Sequence, residues 1–322
     1  MQHHLQQPEL EQSIIIINPY CQHGKGWKRW LAVRDEVYQR LTENVIEIVL
    51  ERGVHLNKTL QPVLKNESQT FLISAGGDGS VNCLVNYLMH EQKECLPKIT
   101  LGAIGLGSSN DFLKPFDDHI RNIPVRLNFK ENRIRHDVGV ASYLDADNRP
   151  QQKYFIVNAS IGVTAEANWQ FNHPGPLLGS LKKISVPVSI LYTAISTIIK
   201  AKSVPITLTY NSKKTTTAIS NINILKVPYV SGSFYYNQPV SRDDGRLSIN
   251  TCFEMSRMEL LSVLSGLQKG RFVATDKTTS DFTQFISMKA KVPFVFEYDG
   301  ETAKTHELKL SILPNALSVV KS

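Results

Sequence analysis

Cysteine is scarce in this chain: four in 322 residues, Cys21, Cys83, Cys95 and Cys252. None forms a C-x-x-C pair or stands at zinc-like spacing from a histidine, and the nine histidines contain no H-E-x-x-H. A zinc site is therefore not expected, and the cysteine usage points to a reduced, intracellular compartment. Long apolar runs are missing as well. The start carries Pro8, Glu9 and Glu11, and its apolar run is only Ile14–Ile17. That lacks both the basic start and the length of a secretory signal. The most membrane-like stretch, Ile184–Ile199, is 16 residues long and is broken by Ser185, Pro187, Ser189, Thr193, Ser196 and Thr197. A span needs ~20 apolar residues, so no transmembrane helix is expected. Internal repeats and low-complexity segments are absent.

What remains is ordinary globular composition, 42% apolar and 20% charged. At roughly 150 residues per domain, 322 residues suggest two domains. Lys and Arg number 36 against 29 Asp and Glu, a net charge of +7. Such an excess suits nucleotides, phosphates, nucleic acid or an anionic membrane surface, and by itself selects none of them.

The first third alternates strand and helix signals. Ile14–Ile17 reads as a buried strand stopped by Asn18-Pro19. Trp27, Trp30, Leu31, Val37, Tyr38 and Leu41 then recur at helical spacing. Val45–Leu50, Thr70–Ala75 and Thr100–Ile104 read as further strands, with a helix over Val81–Met89. This alternation implies a parallel sheet with helices on its faces. After residue 122 short β-like runs dominate: Lys153–Val157, Pro205–Tyr210, Ile222–Lys226, Leu247–Phe253, Phe294–Tyr298 and Leu308–Leu313. Helical patterns return only around 180–202 and 257–270. The expected architecture is thus α/β plus β. A three-layer α/β nucleotide-binding domain with a parallel sheet covers 13–122, and a β-rich, sandwich-like domain covers 123–322.

Two small-residue loops carry the sharpest signal. Ser74-Ala75-Gly76-Gly77-Asp78-Gly79-Ser80 lies between a strand and a helix. Its glycines let backbone approach a ligand, and a helix start offers N–H groups to an anion. Asp78 cannot itself hold phosphate, so it would hold Mg²⁺ or bond a nucleotide hydroxyl; the plainer reading is a tight turn. Gly105-Leu106-Gly107-Ser108-Ser109-Asn110-Asp111-Phe112 follows the next strand. Asn110-Asp111 alone reads as a helix cap. Both loops would lie at the carboxyl edge of the sheet, where α/β sheets bind nucleotides.

These residues resemble the diacylglycerol kinase catalytic family of lipid kinases, which includes sphingosine kinases and bacterial lipid kinases. Asn18-Pro19 and, less closely, Gly24-Lys25 match the family's first motif. Gly76–Ser80 with Asn82 match its Gly-Gly-Asp-Gly-Thr, and Gly107–Phe112 match its Gly-Thr-Gly-Asn-Asp-Phe. Asp137-Val138-Gly139, Asn158–Gly162, Asp243–Leu247 and Asp299-Gly300-Glu301 follow in family order. The resemblance implies ATP and Mg²⁺ as cofactors and an active site in a cleft between the two domains. Asn18, Gly24, Lys25, Gly76, Gly77, Asp78, Gly79, Ser80, Gly107, Ser108 and Asn110 would bind the nucleotide. Asp78, Asp111 and Asp137 would form or support the Mg²⁺ network, and Asp244 would hold a structural Mg²⁺ with backbone carbonyls. Asp299 would be the general base on the lipid hydroxyl, with Glu301 beside it and Asp78 completing the catalytic set. From the residues alone, Asp299-Gly300 also reads simply as a hairpin turn.

The implied activity is phosphorylation of a membrane lipid such as diacylglycerol or a sphingoid base, within phospholipid metabolism. The expected setting is cytoplasmic and peripheral on an anionic membrane, with a homodimer open and no nucleic acid partner. The chain departs from the family pattern at Gln22, Cys83, Gly105, Ser108-Ser109 and Ser231-Gly232-Ser233, none of which removes an assigned carboxylate. Phosphofructokinase-like enzymes share Gly-Gly-Asp-Gly-Ser, but their glycine-rich opening loop and Thr-x-Asp-x-Asp motif are absent from this sequence; NAD kinase-like enzymes share Gly-Gly-Asp-Gly but lack the later acidic turns in this arrangement. A non-catalytic nucleotide- or lipid-binding protein of the same fold is the alternative from another class. Leu177–Lys202, flanked by Lys182-Lys183 and Lys200/Lys202, is either an interfacial segment or a helix packed on the second domain. His23 is a phosphate contact or a solvated loop histidine, and Cys21 and Cys83 read as packing residues.

Overall fold

A computed structural model describes residues 12–41, 44–53, 55–64, 69–129 and 133–321. The expectations about the first eleven residues and about the His23 and Lys183 side chains fall outside the described residues. The chain divides into two compact units, Met1–Arg135 with Leu317–Ser322, and His136–Ala316.

The first unit is built on a sheet in the order β2–β1–β3–β4 (Val45–Val49, Gln12–Ile17, Thr70–Gly76, Ile99–Gly105), all pairs parallel. Every residue of β1, β3 and β4 is buried, as expected of strands covered on both faces. The short helix α1 (Cys21–Gly24) leads into α2 (Gly26–Arg40), which buries Trp30, Val33 and Val37 against Ile15, Ile17, Phe71 and Ile73. The sequence reading lacks α3 (Leu56–Leu64). Pro62 reads as a breaker there, yet Leu60 and Leu64 at i, i+4 bury together. After β3 comes α4 (Asp78–Glu91), and after β4 the small pair β5 (His119–Ile120) and β6 (Ile123–Arg126).

One edge of β4 is shared. Ala103 and Ile104 pair antiparallel with β6, while Thr100 and Leu101 pair in parallel with Ser318 and Val319. The compact first unit therefore runs to residue 135 and takes back residues 317–322, where the sequence reading breaks the chain after 122. Composition changes at 122, but the pairing of β6 with β4 keeps the next stretch in the first unit.

The second unit takes β7 (Arg133–Leu144) from His136 onward, then β8 (Pro150–Phe155), β9 (Asn158–Gly162), α5 (Val163–Asn172), α6 (Pro176–Ile184) and α7 (Val186–Lys200). The chain continues through β10 (Val204–Tyr210), β11 (Lys213–Leu225), the hairpin β12 (Tyr229–Val230) and β13 (Phe234–Tyr235), and β14 (Leu247–Phe253). It ends with α8 (Arg257–Gln268), β15 (Thr278–Thr283), β16 (Phe285–Tyr298) and β17 (Glu301–Val320), whose last residues from Leu317 belong to the first unit. β11 is flanked by β10, β14 and β9, and β16 by β10, β9 and β17, all antiparallel. Ile161, Ile206, Ile222, Leu247, Met288, Phe296 and Leu308 meet in its core. A capping box starts α8, with Ser256 and Glu259 bonding each other's backbone.

Helix α7 is packed inside out. Ser189, Thr193, Ala194, Thr197 and Ile198 are buried, while Val188, Leu191, Tyr192, Ile195 and Ile199 face out. Two of the inward hydroxyls are satisfied by backbone one turn back: Ser189 donates to Ser185 O and Thr193 to Ser189 O, both at 2.7 Å, while Thr197 Oγ1 has no partner among the described residues. Lys182 is partly buried against Phe171. Its Nζ donates to Phe171 O at 2.9 Å and lies 4.0 Å from the Phe171 ring centre, and burial lowers its pKa. Among the described residues no helix is long and apolar enough to cross a membrane.

Candidate active site

β3 delivers Gly76 and Gly77 to the start of α4, and β4 delivers Gly105–Gly107 one strand over. The two loops touch backbone to backbone. Leu106 N–H and Gly107 N–H both donate to Gly76 O, at 2.8 and 3.1 Å. A Cβ on Gly107 would lie 2.4 Å from Gly77 Cα, and one on Gly76 2.5 Å from Ser80 Cβ. The chain passes too close there for any side chain. No side chain caps α4 at Gly77, so its start keeps the character of an anion-binding helix end.

Polar side chains hold this corner. Asn18 Nδ2 donates to Ser80 Oγ at 2.9 Å, and Asn18 Oδ1 accepts from Tyr20 N–H at 3.0 Å. Asp78 Oδ1 accepts from Phe112 N–H at 3.0 Å, tying the first residue of α4 to the second loop. Asn110, in the left-handed region at φ +50°, donates from Nδ2 to Gly105 O and Gly107 O. Its buried Oδ1 has no donor among the described residues. Gln22 Nε2 donates to Gly107 O at 2.8 Å and Arg29 Nη2 to Gly105 O at 3.1 Å. The Gly105 and Gly107 carbonyls are thereby engaged within the protein, which suits a loop that faces phosphate. Asp78 and Ser80 are half-buried and Gly79 and Ser108 exposed, as are Gly24 and Lys25 at the α1–α2 turn.

The acidic turn between β16 and β17 belongs to the second unit. Tyr298 pairs with Glu301 across it, and Asp299 and Gly300 both take positive φ, +46° and +90°, as a two-residue hairpin requires. Asp299 is almost fully buried. Its Oδ1 accepts from Val157 and Asn158 N–H at 2.9 and 3.0 Å, and its Oδ2 from Ile156 N–H at 2.9 Å. Glu301 is exposed. Glu297, absent from the sequence reading, accepts from Ser160 Oγ, Asn158 Nδ2 and Gly300 N–H. Burial still pushes its carboxyl up to about 8.

Two family models cover most of the chain. The diacylglycerol kinase catalytic domain matches residues 12–136, and the YegS C-terminal NAD kinase beta sandwich-like domain matches residues 159–321. The chain belongs to the diacylglycerol kinase catalytic-domain family. No curated protein matches it in sequence. Among solved structures it is similar to a Bacillus anthracis str. Sterne protein assigned as a diacylglycerol kinase, at 17% identity and TM-score 0.70, covering 98% of this chain and 99% of that one. A further structure of a diacylglycerol kinase from the same organism gives 15% identity and TM-score 0.64, with 98% of each chain covered. At these identities the likeness shows the fold. Membership of the family supports a phosphotransferase.

The metal set expected of this diacylglycerol kinase relative is not assembled. Asp111 is buried and ion-paired with Lys114 Nζ at 2.8 Å, so it does not join Asp78 as a ligand. Asp137 and Asp244 lie on the second unit, both bonded to the Lys226 ammonium. Among the described residues no group of three or more His, Cys, Asp or Glu could hold an ion. A magnesium ion carried mainly by nucleotide phosphates needs only one or two carboxylates. Half-buried Asp78 beside the glycine corner fits that role, whereas Asp111, Asp137 and Asp244 do not. Arg29, Lys226 and Glu297 carry no local motif, and only their partners reveal them; Gln22 stands out in the sequence as a departure from the family pattern.

Proposed function

We propose that this family member is an ATP-dependent kinase whose acceptor is the hydroxyl of a membrane lipid, with diacylglycerol and sphingoid bases the leading candidates. The observation that carries the reading is the corner where Gly76–Gly77 meets Gly107 beside the uncapped start of α4. Side-chain-free backbone and a helix start suit phosphates, and Asn18, Ser80, Ser108 and Asn110 would border the nucleotide. Phosphoryl transfer needs charge neutralisation at the phosphates and a carboxylate to take the alcohol proton. Mg²⁺, when bound with the nucleotide, supplies the first, and Asp78 would hold it. The Asp299-Gly300-Glu301 turn would supply the second. With both Asp299 oxygens engaged by backbone N–H groups, Glu301 is the carboxylate of that turn open to an incoming hydroxyl.

The outward face of α6 and α7 supports a lipid acceptor. Ile184 is 82% exposed and Ile199 52%, and Leu177, Val188, Leu191, Tyr192 and Ile195 continue the stripe. Lys200 and Lys202 are exposed at its C-terminal end. An apolar helix face with basic residues at its border suits an anionic bilayer surface.

The test is transfer of labelled γ-phosphate from Mg-ATP in mixed micelles into diacylglycerol, monoacylglycerol, sphingosine, ceramide and a polyprenol. Fructose 6-phosphate and NAD run beside them. Label in one lipid, lost in Asp78→Ala, is the expected result. Label in NAD or the sugar phosphate overturns the lipid reading, and label nowhere favours a binding protein of the same fold.

A further inference from the structure

Lys226, directly after β11, is wholly buried, and each of its three ammonium donors has an acceptor. Nζ lies 2.9 Å from Asp137 Oδ2, 3.0 Å from Asp244 Oδ1 and 2.8 Å from Arg246 O. The acceptors are tied down in turn. Asp137, also wholly buried, accepts from Gly245 N–H at 2.7 Å and Asn315 N–H at 2.9 Å. Asp244 accepts from Arg246 N–H at 3.1 Å and from its guanidinium at 3.3 Å.

Two carboxylates and a backbone carbonyl converging on one point are the donors that a hard divalent cation takes. Here that point is filled by nitrogen. An ion and an ammonium cannot share it, so the structural magnesium that the family resemblance implies at Asp244 does not fit this chain. The positive charge is nevertheless required, because a buried carboxylate without a partner is strongly disfavoured. We infer that Lys226 is a resident substitute for a structural cation. The second unit is therefore indifferent to divalent metal, and removing the amine turns the same acceptors into a divalent-cation site, whichever acceptor the enzyme phosphorylates.

The experiment is thermal unfolding of the full chain without nucleotide, in excess EDTA and in millimolar Mg²⁺ or Ca²⁺. Wild type, Lys226→Met and Lys226→Gln are compared; the glutamine variant keeps an amide donor in case the methionine variant does not fold. Wild type should melt at the same temperature in both buffers to within about 1 °C. The variants should melt about 10 °C lower in EDTA and regain at least about half of that loss with the divalent ion. Wild type gaining several degrees from the ion, or variants that gain nothing or are insoluble in either buffer, would overturn the substitution. None of these readouts involves phosphate transfer, so the kinase reading can fail without touching them.

Discussion

Asp299→Asn separates a carboxylate that does chemistry from one that holds a turn. The exchange is nearly isosteric, and asparagine tolerates the φ of +46° at this position, so the backbone gives no reason for loss. The hydrogen bonds do. An asparagine oxygen can keep the pair from Val157 and Asn158, but Nδ2 then faces the Ile156 N–H at 2.9 Å, donor against donor. One charge-assisted bond is lost, worth about 1.5–3 kcal/mol, and a buried N–H is left unsatisfied at about 1–3 kcal/mol. A total of about 2.5–6 kcal/mol corresponds to a fall of roughly 10 °C in the melting of a unit of this size. Calorimetry of the full-length variant beside Glu301→Gln reads it. The exposed Glu301 change should leave melting where it is while lowering phosphate transfer about 10²–10⁴-fold. If Asp299→Asn melts like wild type and loses only transfer, the anchoring role is wrong and Asp299 is the base.

Three further outcomes follow from the geometry. Gly107→Ala places a methyl 2.4 Å from Gly77 Cα; it should cost about 1–3 kcal/mol and weaken nucleotide binding, and an unchanged melt with normal ATP titration would contradict the loop contact. Glu297, raised to about 8 by burial, favours its neutral form in the folded state. The stability this contributes is whole below the unfolded value of about 4.3 and is lost as pH rises through about 8. Glu297→Gln should flatten the stability profile across that window, and parallel profiles would refute the shift. Finally, Leu191→Asp with Ile195→Asp should abolish co-sedimentation with anionic vesicles at unchanged melting temperature, and undiminished sedimentation would sink the membrane face.

The legibility of this molecule follows the range of its interactions. The glycine loops were readable because their chemistry is local: strand, glycines, helix start, all within a few residues. β14 coincides with its β-like run Leu247–Phe253, which is buried throughout except at Phe253. β15, with the sequence Thr-Thr-Ser-Asp-Phe-Thr, has no such pattern and was invisible. β17 extends beyond Leu308–Leu313 in both directions because strand pairing, with β16 up to Ser311 and with β4 at Ser318 and Val319, sets its length rather than apolarity. The ammonium that Asp137 and Asp244 share was hidden for the same reason. Asp137 and Lys226 are 89 residues apart, and nothing near either one names the other. Sequence can show that an acidic residue is present, but its partner decides whether it serves a metal, a proton or a turn.

The pairing of Thr100 and Leu101 with Ser318 and Val319 also imposes an order of events during synthesis. Every residue of the second unit leaves the ribosome before the strand that completes this edge of β4. Until then the first unit, otherwise entirely made, carries an open stretch of sheet edge of the kind that recruits other chains. That stretch of β4 therefore stays uncovered throughout synthesis of residues 136–316. Conditions that slow elongation past residue 136 should lengthen that exposure, making aggregation of unfinished chains sensitive to translation speed rather than to the stability of the finished fold.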